Sequence, residues 1–228
     1  RLSGCHHIRK RSLENILAEL RMVKQAVPDL KRVCIYSDDL LMWKEEELAA
    51  LVQAYQREID VPFMFLISPL SYSDRKMDIL LRSGLVYYVE VGVQTGSRRI
   101  KELYRRKESN RRVLEVARRM SQAMAPYGLH PHYDLIVGCP WENQDDLLAT
   151  LELVSQLPKP HELLLFSLTL FPGTALYERA RAEGVLNQEV YRAQFDLKSY
   201  VNRRLRRGSR DSQAFLALLQ LAGILAWP

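Results

Sequence analysis

Apolar residues recur along this chain in two rhythms, and the switches between them mark out its elements. Where they return every three or four positions, a helix with one buried stripe is predicted. Leu13, Ile16, Leu17, Leu20 and Val23 make such a stripe after Ser12, ended by Pro28, and Leu48, Leu51, Val52 and Tyr55 make another within residues 44–58. Further helices are predicted from Ser73 to a stop at Gly84, over residues 98–104, 112–125 and 145–157, and from the FPGT turn at 171–174 to Gly184. Between them stand short runs rich in β-branched, leucine and aromatic residues, at 31–38, 61–68, 86–93, 130–137 and 162–170. Each is read as a strand, and 86–93 (VYYVEVGV) as one buried on both faces inside a parallel sheet.

Strand and helix alternate five times with short connections, which calls for a parallel sheet with helices outside it. Right-handed crossovers then leave a barrel, whole or partial, or a doubly wound sheet. No glycine-rich phosphate loop follows any strand, and the glycines of GVQTGS at 92–97 have the wrong spacing for a dinucleotide fingerprint, which favours the barrel. From residue 187 the pattern decays. Tyr191, Phe195 and Tyr200 are expected outside the sheet, 203–210 as a basic linker, and 212–227 as a helix apolar nearly all round, which must be buried. The expected division is a barrel unit over 1–185 and a C-terminal extension over 186–228.

A chain of 228 residues, 47% of them hydrophobic, suffices for one large α/β domain with a sizeable core. Its net charge of +6 permits an anionic partner without requiring one, since short arginine runs are ordinarily solvated surface. The three cysteines, Cys5, Cys34 and Cys139, match no metal or redox spacing. Cys34 and Cys139 fall in or beside strands and read as small core residues. No signal peptide is recognisable and no apolar run is long enough to span a bilayer, so no membrane contact and a cytoplasmic location are expected.

In a barrel of parallel strands, polar side chains at the C-terminal strand ends face the site. Those ends carry Asp38 and Asp39, Ser68, Glu90 with Gln94 and Ser97, Asp134 ahead of Gly138 and Glu142, and Thr169. Their convergence on one face is the signal. Singly, each has an ordinary explanation: Asp39 as a cap, Glu142 as a favourable charge at a helix start, Asp134 as a partner for backbone groups. His130 and His132 share a strand face without a third ligand in sequence reach, so no metal site is expected of them. No serine stands at a strained elbow, and no catalytic residue is named.

The series RKRSLENILAEL, VCIYSDD, VEVGVQTGS followed by LYRRK, DLIVGCPWENQDDLLATL and FPGTALYERARAEG resembles, in order and spacing, the radical S-adenosylmethionine (radical SAM) superfamily. The resemblance covers nearly all of residues 12–184 and lies closest to the group shared by cobalamin-binding, Elp3-like and MiaB-like enzymes. It implies an α/β fold, a partial (β/α)6 TIM-like barrel holding S-adenosylmethionine across its C-terminal face. By resemblance, Asp38 and Asp39 stand where the family contacts the methionine amino group, Glu90 and Gln94 lie near the ribose with Ser97 beside them, and Arg106 meets the methionine carboxylate. Residues 136–142, with Ile136, Gly138 and Glu142, are similar to the motif that lies against adenine. Trp141 replaces the glycine usual there, a large ring where close backbone approach is the rule.

A second departure concerns the family's [4Fe-4S] cluster, held by cysteines spaced CxxxCxxC after the first strand. This sequence has no such run, and Cys5 alone cannot replace it. The chain is therefore expected to be a piece of a longer protein, truncated before or within its first βα unit, with the cluster ligands and other domains on missing segments. With them, the resemblance implies a 5′-deoxyadenosyl radical for hydrogen abstraction or methyl or other group transfer on an unidentified small-molecule or RNA substrate. Cobalamin is a further cofactor of some members. Alone, this chain is expected to bind S-adenosylmethionine weakly or not at all and to form no 5′-deoxyadenosine. Two other readings stand beside this one: a non-catalytic barrel holding an anionic partner such as RNA, and an ordinary barrel enzyme using Glu90 or Glu142 as acid or base.

Overall fold

The structure, a computed structural model, describes residues 11–37, 39–186 and 210–226. Helix α1 (Leu13–Ala26) starts where the Ser12 hydroxyl accepts the Asn15 amide hydrogen at 3.2 Å. Then follow β1 (Val33–Ile35), a 3-10 turn (Leu40–Met42), α2 (Glu45–Glu58), β2 (Phe63–Ile67), α3 (Asp74–Leu81) and β3 (Val86–Gln94). Next come α4 (Arg98–Leu103), α5 (Asn110–Met124), β4 (His132–Val137), α6 (Gln144–Ser155), β5 (Glu162–Ser167), α7 (Ala175–Ala182) and, last of the described elements, α8 (Arg210–Ile224).

The five strands pair in parallel in the order β1-β2-β3-β4-β5. A doubly wound sheet reverses its strand order at a switch point, whereas strictly sequential order with right-handed crossovers keeps every connecting helix on one face. The sheet is therefore a partial barrel, and among the described residues β1 and β5 are its edges. On the helix side, Phe63, Phe65 and Ile67 of β2, Val89, Val91 and Val93 of β3, and Tyr133, Leu135 and Val137 of β4 are at most 3% exposed. They share one core with Leu48 and Tyr55 of α2, Met77 of α3, Val113 and Met120 of α5, and Leu153 of α6. Fully burying each large apolar side chain contributes about 1.5–3 kcal/mol. The alternate strand positions line the concave face, as a period of two requires.

The structure corrects several sequence expectations. Cys34 is exposed rather than part of the core, because β1 is a short edge strand whose alternate residues face an open side; of the two described cysteines, Cys139 is the buried one. Strand β3 is buried on its helix face, yet Tyr88, Gly92 and Gln94 on the other are half-buried, since a partial barrel leaves its hollow open. Phe215 and Leu219 of α8 join the core, while Leu218, Leu221 and Leu225 are exposed, so this helix is covered on one side by α6 and β5 rather than all round. Tyr191, Phe195, Tyr200 and all of the basic run before Arg210 lie outside the described residues, as do Cys5 and Asp38.

Candidate functional site

Strand register brings two acids together on the concave face. Glu90 lies opposite His132 and Gly92 opposite Asp134, so Glu90 and Asp134 are diagonal neighbours, and both are buried. Burial and then the adjacent Glu90 push the Asp134 carboxyl up to about 7, against the pull of Arg106. Burial raises Glu90 as well. Asp134 Oδ1 has no hydrogen-bond partner among the described residues. Leaving such an oxygen unsatisfied costs about 1–3 kcal/mol, which a ligand N–H or O–H would offset.

The end of β3 shapes the rest. Past Gly92 the register with β4 slips, and Gln94 adopts φ +69°, a left-handed conformation uncommon for a residue with a side chain. A Cβ at Gly92 would lie 2.9 Å from Gln94 Nε2 and 3.5 Å from the Arg106 guanidinium, so the missing side chain makes room for both. Arg106 donates to the Gly92 carbonyl and to the buried carboxylate of Glu108, which fixes its head at the strand tip. Glu90 and Asp134 thus lie mid-strand on the concave face of β3 and β4, with Gln94 and Arg106 beyond them at the C-terminal tip of β3.

The other predicted residues hold the scaffold around this group. Asp39 accepts from the Leu41 and Ser68 amides at 3.1 and 3.2 Å and from the Ser71 hydroxyl at 2.8 Å, tying the segment after β1 to the end of β2. Ser97 caps α4 through the Ile100 amide and donates to Asp146 of α6 at 2.5 Å. Beside it, the Gly96 amide donates to Thr150 Oγ1 at 2.9 Å. The polar TGS segment is therefore bolted to α6 rather than facing the hollow. Ile136 stands on the concave face in register with Phe166, and Gly138 is exposed at φ +74° in the loop after β4. Glu142 accepts the Cys139 amide hydrogen at 3.2 Å, and burial pushes it up to about 7. Trp141 turns towards α7: its indole N–H donates to Glu183 at 2.6 Å and Arg179 lies 4.7 Å above its ring.

Sequence reasoning passed over Tyr88 as part of this face, although it stands two residues before Glu90 and so on the same side. Its ring stacks on His132 with centroids 3.7 Å apart, and burial and the acids Glu90, Glu162 and Asp134 raise its hydroxyl pKa. Burial holds the His132 imidazole down to about 4, against the pull of Glu162.

The model of the Radical SAM superfamily matches residues 3–154. The chain belongs to the radical SAM superfamily. It is 28% identical over 210 residues to the tRNA-2-methylthio-N(6)-dimethylallyladenosine synthase of Thermotoga petrophila, a match over 86% of this chain and 46% of that enzyme. To the Bacillus subtilis enzyme of the same name it is 33% identical over 104 residues, 44% of this chain and 20% of that one. The chain thus spans about half the length of the curated relative it matches most extensively of these two. Among solved structures, coproporphyrinogen III oxidase (HemN) of Escherichia coli, a radical SAM enzyme, superposes with a TM-score of 0.63 at 17% identity, over 96% of this chain and 49% of HemN. The radical SAM methyltransferase TsrM of Kitasatospora setae, solved with cobalamin and a [4Fe-4S] cluster, gives 0.57 at 14% identity, over 76% of this chain and 34% of TsrM. At these identities the structural likeness shows the shared barrel.

Membership of the superfamily implies S-adenosylmethionine and a [4Fe-4S] cluster, with cobalamin confined to some relatives such as TsrM. The two implied groups fare differently against this chain's residues. Partnerless Asp134 Oδ1, beside Glu90 and Arg106, suits the amino, hydroxyl and carboxylate groups of S-adenosylmethionine. The cluster does not fit the described residues: their cysteines are Cys34 on β1 and Cys139 after β4, and the sequence has no CxxxCxxC run. No helix among the described residues is long and apolar enough to cross a membrane.

Proposed function

We propose that the concave face of β3 and β4, from Glu90 and Asp134 to the C-terminal tips, binds S-adenosylmethionine, in the barrel portion of a radical SAM enzyme whose cluster ligands this chain does not carry. The observation that carries this reading is the buried, partnerless Asp134 oxygen next to Glu90 and within the field of Arg106. Glu90 and Asp134 accept from the ribose hydroxyls and the amino group, while Arg106, held by Glu108, pairs with the methionine carboxylate. Gln94 adds an amide at the strand tip, and Ile136 with the exposed backbone at Gly138 forms the wall for adenine. Asp39 holds the neighbouring loop, with Asp38 beside it in sequence. Bound there, S-adenosylmethionine would supply hydrogen-abstracting radical chemistry once its sulfonium took an electron from an outside donor; the residues here would hold and orient it.

The substrate we favour is a nucleoside within RNA, because the Thermotoga petrophila relative is named for a tRNA modification. A barrel that holds RNA without catalysis is the second reading, favoured by net charge +6 and by the exposed Arg105, Lys107 and Arg111. Saturation-transfer NMR on this chain with millimolar S-adenosylhomocysteine tests the first. Transfer to the ligand protons, lost on Asp134→Asn and Arg106→Ala, supports it. Transfer that survives both substitutions, or RNA binding with no nucleoside signal at all, refutes it.

A further inference from the structure

The hollow has a second polar cluster, towards the N-terminal ends of β4 and β5 and next to the proposed cofactor site, since Glu90 pairs with His132 across β3 and β4. His130 precedes β4, His132 opens it, and Glu162 opens β5 directly across from His132 in the register. His132 Nδ1 lies 3.0 Å from Glu162 Oε2, and His130 Nε2 lies 3.6 Å from Glu162 Oε1. One ligand atom from each residue falls within 4.8 Å of the other two. We infer that His130, His132 and Glu162 form a binding site for a divalent first-row transition metal, with zinc the best match.

The chemistry of the donor set singles out that class. Two imidazoles and one carboxylate are the ligands zinc takes in three-residue sites, and the same set holds non-haem iron. Zinc bonds of about 2.0–2.2 Å fix tetrahedral ligand–ligand spacings of about 3.3–3.6 Å. The His132 and His130 nitrogens lie 3.0 and 3.6 Å from the two different oxygens of Glu162, and one donor atom from each residue lies within 4.8 Å of the others. Small side-chain movements would bring the set to that spacing around an ion. Hard cations such as magnesium prefer oxygen throughout and are disfavoured here.

The scaffold also orients the ligands. Tyr88 stacks on His132 at 3.7 Å with an interplanar angle of 26°, which holds the ring by its face while Glu162 engages its Nδ1 edge. The two histidine rings lie 4.9 Å apart. The His132 side chain is 7% exposed and that of Glu162 40%, so the site is anchored in the protein yet open to an incoming ion and to a water as fourth ligand. Three protein ligands drawn from the starts of β4 and β5 would clamp those strands together. The simple alternative is a His132–Glu162 hydrogen bond with no ion.

Chain stripped with EDTA and titrated with Zn²⁺ against a chromophoric chelator, then with Co²⁺ followed by visible absorption, decides between them. Expected are one equivalent of metal and the d–d bands of tetrahedral Co²⁺ without thiolate charge transfer. His130→Ala and Glu162→Gln should each weaken binding by at least about 100-fold. Both variants are checked for folding by their melting temperatures in EDTA; His130→Ala, at the strand margin, is the safer of the two. A His6→Ala/His7→Ala variant and a variant with serine for all three cysteines should bind as the parent does. No zinc uptake, uptake unchanged in folded His130→Ala, or uptake lost with His6 and His7 or with the cysteines overturns the inference.

Discussion

Gly92 and Glu142 are the residues at which small substitutions read the site most directly. A methyl group at position 92 would meet the far end of the Gln94 side chain, which can swing away, so Gly92→Ala should fold with little loss of stability. It should nevertheless displace the Gln94 amide and crowd Arg106, weakening nucleoside binding about tenfold by NMR titration; unaltered affinity would remove Gln94 from the site. Glu142 makes a pH prediction whose sign follows from its burial. Its folded pKa of about 7 lies above the ordinary 4.5, so the folded state holds the proton more tightly than the unfolded chain. That contribution is complete below pH 4.5 and fades as pH rises through 7, with Asp146 adding to the effect and Arg99 and the Cys139 amide opposing it. Glu142→Gln should therefore be more stable than the parent above pH 7, by roughly 1–3 kcal/mol in urea unfolding, and similar at pH 4.5. Equal stabilities across that range would show that Glu142 titrates normally. Neither point was legible beforehand. Sequence put Ser97 and Glu142 in the same group as Glu90, and only side-chain contacts separate a hydroxyl bound to Asp146 from a carboxylate facing the hollow.

At the scale of elements, the connection after β3 makes the sharpest claim. A Cβ on Gly96 would lie 2.3 Å from the Ala149 carbonyl oxygen and 2.6 Å from Thr150 Cα, both backbone atoms of α6. Unlike Gly92, this glycine has no flexible neighbour to yield. Gly96→Ala should cost about 3 kcal/mol or more in chemical denaturation, as overpacking against fixed atoms does, and a loss under 1 kcal/mol would mean that α6 is not docked there. Strands and helices themselves were readable from the apolar rhythm, since β2 to β5 and α1 to α7 each coincide with a predicted run, although β3 and α6 reach one residue and α5 two residues beyond theirs. What the rhythm concealed was context. The run 31–38 holds only a three-residue strand because an edge pairs on one side only, and α8, read as apolar nearly all round, leaves Leu218, Leu221 and Leu225 exposed although that reading called for burial. His130 and His132 looked isolated for the same reason: Glu162, their third partner, is adjacent only through strand pairing.

For the whole molecule, five parallel strands in sequential order put Glu90, Gln94 and Asp134 on one concave face, and Arg106 joins them through its bond to the Gly92 carbonyl. The central claim is that this shared face is a nucleoside site. Backbone and methyl NMR of the labelled chain, titrated with millimolar S-adenosylhomocysteine, tests it most directly. Shifts concentrated at Gln94, the Ile136 methyls and the Gly138 amide are predicted, with the α2 and α3 faces silent. Shifts confined to the outer helices, or none at saturating ligand, would contradict it.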